Sequence, residues 1–361
     1  MAFGIGVPEP ADLLPPEVSA ARCVHTHMEQ ARCRACADAC PNHAWLISDE
    51  SLGIDVDRCD GCGLCAPACP EGAIIERFSP ARYRVDGTGT AFAACAAAGI
   101  PRFDDCILPC LHVLGTNALL RLHNQGVRRL VLCRGDCEDC LRGRVIRVQE
   151  HCEQVSALLL DRGQQPIEYQ EQAPGDWTHT LSAARARHLD PVVGRRLFLR
   201  GWLQTAADTA LDLANREDDG LPEFIPPGRL APGASSTAVD GRAPSGLCLH
   251  APLIDPERCT GCDACARICP HDVIRVEPDA YHMDPDGCTG CGMCEDICDQ
   301  GAVSLHQFEA TLQSRLPLRQ GRCTACGVGF HLPYREMALP VTTCPICAST
   351  RHHRQLFHVL G

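Results

Sequence analysis

Long hydrophobic runs are missing from this 361-residue chain, and aromatic residues make up only 4% of it. No stretch reaches the roughly 18 apolar residues that a membrane-spanning helix needs, so no segment is expected to cross a bilayer. Residues 1–20 contain proline and glutamate but lack the basic start and apolar run of an export signal. The expected setting is therefore reducing and cytoplasmic. There is no G-x-G-x-x-G turn placed after a strand, no P-loop and no Ser/His/Asp constellation. Nucleotide, flavin and nucleophilic chemistry thus find no anchor. Positive charge is also in deficit, with a formal net charge of −12. Such a surface repels phosphate backbones, which disfavours nucleic acid as a partner. It suits a basic patch on another protein better. With so few aromatics, part of the core must be stapled by other means.

What the chain does have is 28 cysteines. In a secreted chain that count would suggest disulfides, but these spacings are metal spacings. One run reads Cys59-Asp-Gly-Cys62-Gly-Leu-Cys65-Ala-Pro-Ala-Cys69-Pro70, and two near-copies follow. They are Cys259, Cys262, Cys265, Cys269 with Pro270, and Cys288, Cys291, Cys294, Cys298 with Asp299 in place of the proline. Short intervals let one tight loop wrap three corners of a cube, and the longer last step turns the chain away. Structural zinc prefers pairs of C-x2-C to triplets with a fourth step. The runs resemble bacterial two-cluster ferredoxins. In that family three thiolates hold one [4Fe-4S] cluster and the fourth reaches across to the other.

A fourth ladder is disguised. Cys33-x2-Cys36-x3-Cys40-Pro41 matches the last three cysteines of the motif, and Cys23 lies ahead of it across a widened interval, Val24–Arg32. The resemblance then implies one cluster on Cys23, Cys33, Cys36 and Cys69, and another on Cys59, Cys62, Cys65 and Cys40. A free Cys23 with a three-iron or absent first cluster is the alternative. In the second half the same logic gives Cys259, Cys262, Cys265 with Cys298, and Cys288, Cys291, Cys294 with Cys269. Ala44–Ile47 and Gly53–Val56 read as a hairpin, with Ala73–Ile75 closing that unit.

Between the two pairs of ladders the pattern changes. After a Gly/Thr linker at Asp86–Thr90, short strands are expected at Ala91–Ala96, Cys106–Leu108, Arg129–Leu132 and Pro166–Tyr169. Thr116 can cap a helix ended by Gly126. Val145, Val148, Cys152, Val155 and Leu159 mark one face of another. This alternation argues for a parallel sheet, with sites at the carboxyl ends of its strands. Phe92-Ala-Ala-Cys95, Leu108-Pro-Cys110 and Leu130-Val-Leu-Cys133-Arg-Gly-Asp-Cys137 resemble the delta subunit of methyl-viologen-reducing hydrogenase. That resemblance implies a [2Fe-2S] centre, with [4Fe-4S] the alternative. The chain departs from the family in keeping only Cys95 of its early C-x2-C and in gaining Cys140, and the ligands expected here are Cys95, Cys110, Cys137 and Cys140. Cys106, Cys133 and Cys152 read as core thiols. His112 is a lesser candidate ligand, and a redox dithiol at Cys137 and Cys140 the rival reading.

Further on, Leu199 to Ala214 carry an apolar helical stripe that packs on its own protein or docks a partner. Arg195-Arg196-Leu-Phe-Leu-Arg200 resembles the start of NapF-type ferredoxins, which are associated with maturation of a molybdenum nitrate reductase. Residues 226–246 read as a flexible linker. Cys248 is left over as a structural thiol. Cys323-x2-Cys326 and Cys344-x2-Cys347 have structural-zinc spacing, with a single iron as alternative.

The expected architecture is α+β and multidomain. Two bacterial-ferredoxin-like domains (1–80 and 248–310) flank a small α/β parallel-sheet domain (81–175) and a helical segment with linker (176–247). A four-cysteine, zinc-ribbon-like knuckle (311–361) follows. The expected function is electron transfer in a larger cytoplasmic oxidoreductase, between a catalytic subunit carrying molybdopterin, flavin or nickel–iron and another protein carrier. A maturation factor for a molybdoenzyme is the alternative.

Overall fold

The computed structural model describes residues 15–47, 52–100, 106–138, 140, 142, 147–189, 223–232, 246–310, 313–335 and 341–350. The stripe from Leu199 to Ala214 and the Arg195–Arg200 segment lie outside them. Contacts divide the chain into two compact units, Met1–Glu29 with Arg34–Pro244, and Gln30–Cys33 with Ser245–Gly361. No helix among the described residues is long and apolar enough to cross a membrane.

The first unit begins with helices α1 (Val24–His27) and α2 (Ala35–Asp38), the hairpin β1 (Trp45–Ile47) and β2 (Leu52–Ile54), and helix α3 (Cys65–Ala68). Val18 bridges Ile74, so an entering strand closes on the residues after the second ladder. Cys36, Trp45, Cys65, Ala66 and Ile74 form the core here.

The chain then makes a hairpin where the sequence suggests a linker. β3 (Ala81–Val85) pairs antiparallel with β4 (Thr88–Cys95). Asp86 and Gly87 turn between them at φ 50° and 81°, the left-handed pair that tight hairpins use. β5 (Ile107–Leu108) lies parallel to the end of β4. Helix α4 (Thr116–Asn124) follows, then β6 (Val127–Cys133), helix α5 (Val148–Asp161), β7 (Glu168–Glu171) and helix α6 (Pro174–Leu189). The sheet order is β3-β4-β6-β7, parallel except for β3. Phe92, Ala94, Val131 and Cys133 alternate onto one face and pack under Trp177, Leu181 and Ala184 of α6. Phe92 meets both Tyr83 and Trp177 edge-on, and Trp177 Nε1 donates to the Val131 carbonyl at 3.2 Å. On α5, Val148, Cys152, Val155, Leu158 and Leu159 are buried.

Two expectations change in detail. Gly115, not Thr116, is the cap of α4, and Thr116 Oγ1 lies 3.3 Å from His151 Nδ1 instead. The start of the expected linker is tied down. Helix α7 (Pro227–Leu230) docks against α4 and α5, with Arg162 Nη1 donating to the carbonyls of Gly228 and Ala231.

In the second unit, β8 (Leu247–Ile254) pairs antiparallel with β11 (Val303–Ala310). Between them lie helix α8 (Ala264–Ile268), β9 (Ile274–Val276), β10 (Ala280–Met283) and helix α9 (Met293–Asp296). β12 (Arg315–Arg322) and β13 (Gly329–Pro333) extend a second sheet in the order β9-β10-β12-β13. The terminal hairpin is thus hydrogen-bonded onto the ferredoxin-like strands through β10 and β12. Helix α10 (Pro345–Thr350) follows. Cys248 is buried in β8 with its Sγ on the Glu309 carbonyl at 3.2 Å.

Trp177→Ala should therefore empty the contact between α6 and the sheet. A loss of about 3–5 kcal/mol is expected for removing a buried large aromatic, measured by anaerobic denaturant unfolding. A change under about 1 kcal/mol would show that α6 contributes little to this core.

Candidate metal centres

All four ladders are built on one local design. Each carries a one-turn helix between its second and fourth cysteines, namely α2, α3, α8 and α9. After the fourth cysteine the chain reverses the same way each time. The N–H three residues on donates to that cysteine's carbonyl: His43 to Cys40, Gly72 to Cys69, Asp272 to Cys269 and Gly301 to Cys298. These four residues have φ of 51°, 57°, 51° and 54°, which glycine adopts freely and His43 and Asp272 must be held in. The following N–H then points at sulfur. Ala44, Ala73 and Ala302 donate to the Sγ atoms of Cys40, Cys69 and Cys298 at 3.3, 3.3 and 3.2 Å. A donor aimed at sulfur favours its thiolate. The disguised ladder therefore shares the final turn of the others. It departs earlier, where Arg34 sits at φ −129° and its counterparts Gly63, Asp263 and Gly292 are left-handed.

The electrostatic neighbours of the buried thiols cross between ladders. Burial, and then the charges of Cys40 and Cys59, push the Cys65 thiol up to about 12. Burial, and then Cys259, Cys262 and Cys298, push Cys265 up to about 12. Cys294 is raised by burial and by Cys288, Cys291, Cys265 and Cys269. In each case the fourth cysteine of one ladder stands beside the third of the other. Such crowding of thiolates is unfavourable until a cation compensates it, and an iron–sulfur cluster is a group that does so with cysteine ligands. Cys36 and Cys69 pack in the core with Cys40 and Cys65. Cys23 is half-buried ahead of α1, and Cys33, also half-buried, lies in the segment grouped with the second unit.

In the middle region the structure brings together all four cysteines singled out there. Cys95 ends β4, Cys110 follows β5, and Cys137 and Cys140 lie beyond β6. They line one cavity of about 420 Å³ with His112, Arg134, Arg142 and Tyr169. Gly135 donates its N–H to Cys95 Sγ at 3.3 Å, and a Cβ on Gly135 would come within 2.5 Å of the Ala97 carbonyl oxygen. Only glycine lets this loop close over the end of β4. Burial, with Cys95 and Cys140 adding to it, pushes Cys110 up to about 12. His112 takes a different role from the ligand considered above. Its Nδ1 accepts the Val148 N–H at 3.1 Å, so its proton sits on Nε2, which faces Cys137 Sγ at 3.9 Å. It is placed to donate to that sulfur. Cys106, Cys133 and Cys152 are buried in the core.

The terminal group is tighter. The Sγ atoms of Cys323, Cys326, Cys344 and Cys347 all lie within 4.8 Å of one another. Cys326 and Cys344 are 3.9 Å apart, close to the edge of about 3.8 Å that metal–sulfur bonds of about 2.3 Å give in a tetrahedron. The Cys344 N–H donates to Cys323 Sγ at 3.3 Å and the Cys347 N–H to Cys344 Sγ at 3.4 Å. Backbone N–H donors on Cys323 Sγ, Cys344 first and then Cys326 and Ala325, hold its thiol down at about 6 against burial, ready for a cation at neutral pH. The donor set fits a single tetrahedral ion.

One network was invisible to spacing. Asp263, inside the third ladder, accepts from Tyr281 Oη at 2.6 Å and lies 2.8 Å from His331 Nε2. It ties β13 over the third-ladder loop across 68 residues.

Comparison with known proteins agrees on two of these regions. Residues 52–75 match the family described as 4Fe-4S binding domain, and residues 258–302 the 4Fe-4S dicluster domain. The chain carries two ferredoxin-type 4Fe-4S domains. It is similar to an uncharacterized ferredoxin of Methanocaldococcus jannaschii, 45% identical over 40 residues, 11% of this chain and 26% of that one. It is 29% identical over 101 residues to a probable iron-sulfur subunit of the Frd operon of Proteus vulgaris, 27% of this chain and 63% of that one. A protein of Escherichia coli (strain K12) named as a putative oxidoreductase, UacF, is 30% identical over 76 residues, 19% of this chain and 12% of that one. The chain thus spans less than two thirds of each of these relatives. An iron–sulfur electron-transfer role follows.

Cys298→Ala tests the crossing directly. In anaerobically prepared protein it is expected to damage the EPR signal of the centre on Cys259, Cys262 and Cys265 and to spare that on Cys288, Cys291 and Cys294. Loss of the second signal alone would mean that each ladder closes on its own cysteines.

Proposed function

We propose that this chain is the electron-transfer subunit of a larger cytoplasmic oxidoreductase, passing electrons between another protein carrier and a catalytic redox subunit. In this reading each of the four ladders supplies one [4Fe-4S] cluster. Cys95, Cys110, Cys137 and Cys140 hold a fifth centre, a [2Fe-2S] cluster rather than a [4Fe-4S] one, and the terminal four cysteines hold zinc.

The observation that carries the reading is adjacency. Pro41, Asn42 and Asp60, from the loops of the first two ladders, line the same cavity as the middle cysteines. An electron carrier needs its centres side by side, and a dithiol enzyme does not. The acidic loop at Cys137 and Cys140 also disfavours a free thiolate unless a cation is bound. Cys262 is exposed, which gives a partner carrier access to the third-ladder centre. The relatives named as a putative oxidoreductase and as a probable iron-sulfur subunit support a redox partner. That partner would carry molybdopterin, flavin or nickel–iron, since no substrate site accompanies the cysteines in this chain's sequence.

When bound, the clusters supply reversible one-electron chemistry. The chain's own residues hold the sulfurs by short loops, aim N–H donors at them and limit water around them.

Elemental analysis of anaerobically purified protein should give roughly 16 iron from four clusters and about two more from a [2Fe-2S] centre, with one zinc. The native complex should copurify with a stoichiometric redox partner. Iron near half that amount, or a chain that purifies alone, would overturn the reading.

A further inference from the structure

Arg142 stands on the wall of the 420 Å³ cavity, partly buried. Its Nε donates to Asp60 Oδ2 at 3.0 Å, its Nη2 reaches the same oxygen, and its Nη1 donates to the Pro109 carbonyl at 3.0 Å. Asp60 lies inside the second ladder, between Cys59 and Cys62, and its Oδ1 accepts the Cys62 N–H at 3.2 Å. Pro109 immediately precedes Cys110. One guanidinium therefore ties a ladder loop to the strand end that presents a middle-region cysteine. Two N–H groups of the rigid plane converge on one Asp60 oxygen while a third reaches the Pro109 carbonyl, a pattern that the rotating ammonium of lysine does not reproduce.

We propose that Arg142 is the positioning residue that holds the second-ladder cluster and the middle centre next to each other for direct electron exchange. The inference rests on the reading that Cys95, Cys110, Cys137 and Cys140 hold an iron–sulfur centre. The step is the transfer of one electron. One centre is oxidised as the other is reduced, no bond forms or breaks, and no proton or co-reactant is needed. The charges also set the direction of two shifts. A cation close to a centre favours the added electron, and a carboxylate opposes it. Removing the guanidinium should lower both potentials. Neutralising Asp60, which lies nearer the second ladder, should raise that ladder's potential.

The test uses the full-length protein, prepared anaerobically, with EPR-monitored redox titration of wild type, Arg142→Gln, Arg142→Lys and Asp60→Asn. Wild type should show a middle-centre signal and spin–spin broadening between it and the second-ladder signal when both are reduced. Arg142→Gln should shift both midpoints to lower potential and weaken the broadening. Arg142→Lys should keep the potentials close to wild type but weaken the broadening. Asp60→Asn should move the second-ladder midpoint upward. General disturbance of the fold does not give opposite signs for the two charge removals, so Asp60→Asn and Arg142→Lys remain decisive even if Arg142→Gln assembles poorly. A shift at one centre only, same-sign shifts for both removals, or broadening unchanged in Arg142→Lys would overturn the proposal. A wild-type protein with no middle signal and iron for four clusters alone would instead remove the reading beneath it, and the link with it.

Discussion

The constraint on which this protein depends is the mutual repulsion of thiolates held close together away from water. A single buried thiol already resists ionisation, and a neighbouring negative charge raises the cost. The chain repeats this arrangement in its ladders, in the middle cavity and in the terminal group. Each is unfavourable as bare thiolates, and a bound cation would relieve it, which would link folding to metal loading. The low aromatic content fits this picture. The core around Trp45 is small and shares its residues with Cys36 and Cys65, while the second unit packs Cys265 and Cys288 beside Ile274 and Tyr281.

In the ladders the backbone meets the constraint with one set of devices. A left-handed residue after the fourth cysteine turns the chain, the next N–H reaches sulfur at Cys40, Cys69 and Cys298, and short helices fix the interval before it. Where loops leave the ladders, longer contacts take over. Asp263 anchors β13 across the third ladder, and Asp60 engages Arg142 across 82 residues. Both aspartates occupy the short intervals between ladder cysteines, one after the first cysteine and one after the second. The ladder loops thus serve as attachment points for the rest of each unit as well as cradles for sulfur.

Much of this was legible in the sequence because cysteine spacing encodes local geometry. The four ladders, the middle quartet and the terminal pair of C-x2-C motifs were all readable, and the structure gathers the middle and terminal sets. Strands β4 and β6 were visible from their apolar runs, while β7 begins two residues after the expected strand at Pro166–Tyr169 and is mostly polar. β3 was not, because Tyr83 and Val85 alternate with arginines and Asp86-Gly87 resembles a linker unless read as a left-handed turn. The stripe of α6 was legible in principle, since Trp177, Leu181 and Ala184 follow the i, i+4, i+7 spacing. The docking of α7 was not, because Arg162 holds it through main-chain carbonyls that carry no side-chain signature. The same applies to Arg142 and to the protonation of His112, both set by partners distant in sequence.

The central claim is that one chain carries several one-electron centres. Counting electrons tests it most directly. Oxidised, anaerobic, full-length protein is titrated with a calibrated low-potential reductant while the loss of visible absorbance is followed. The account predicts an end point at about five electron equivalents per chain, one for each of four [4Fe-4S] clusters and one for the middle centre. An end point at two or fewer, in protein with a full complement of iron, would contradict it.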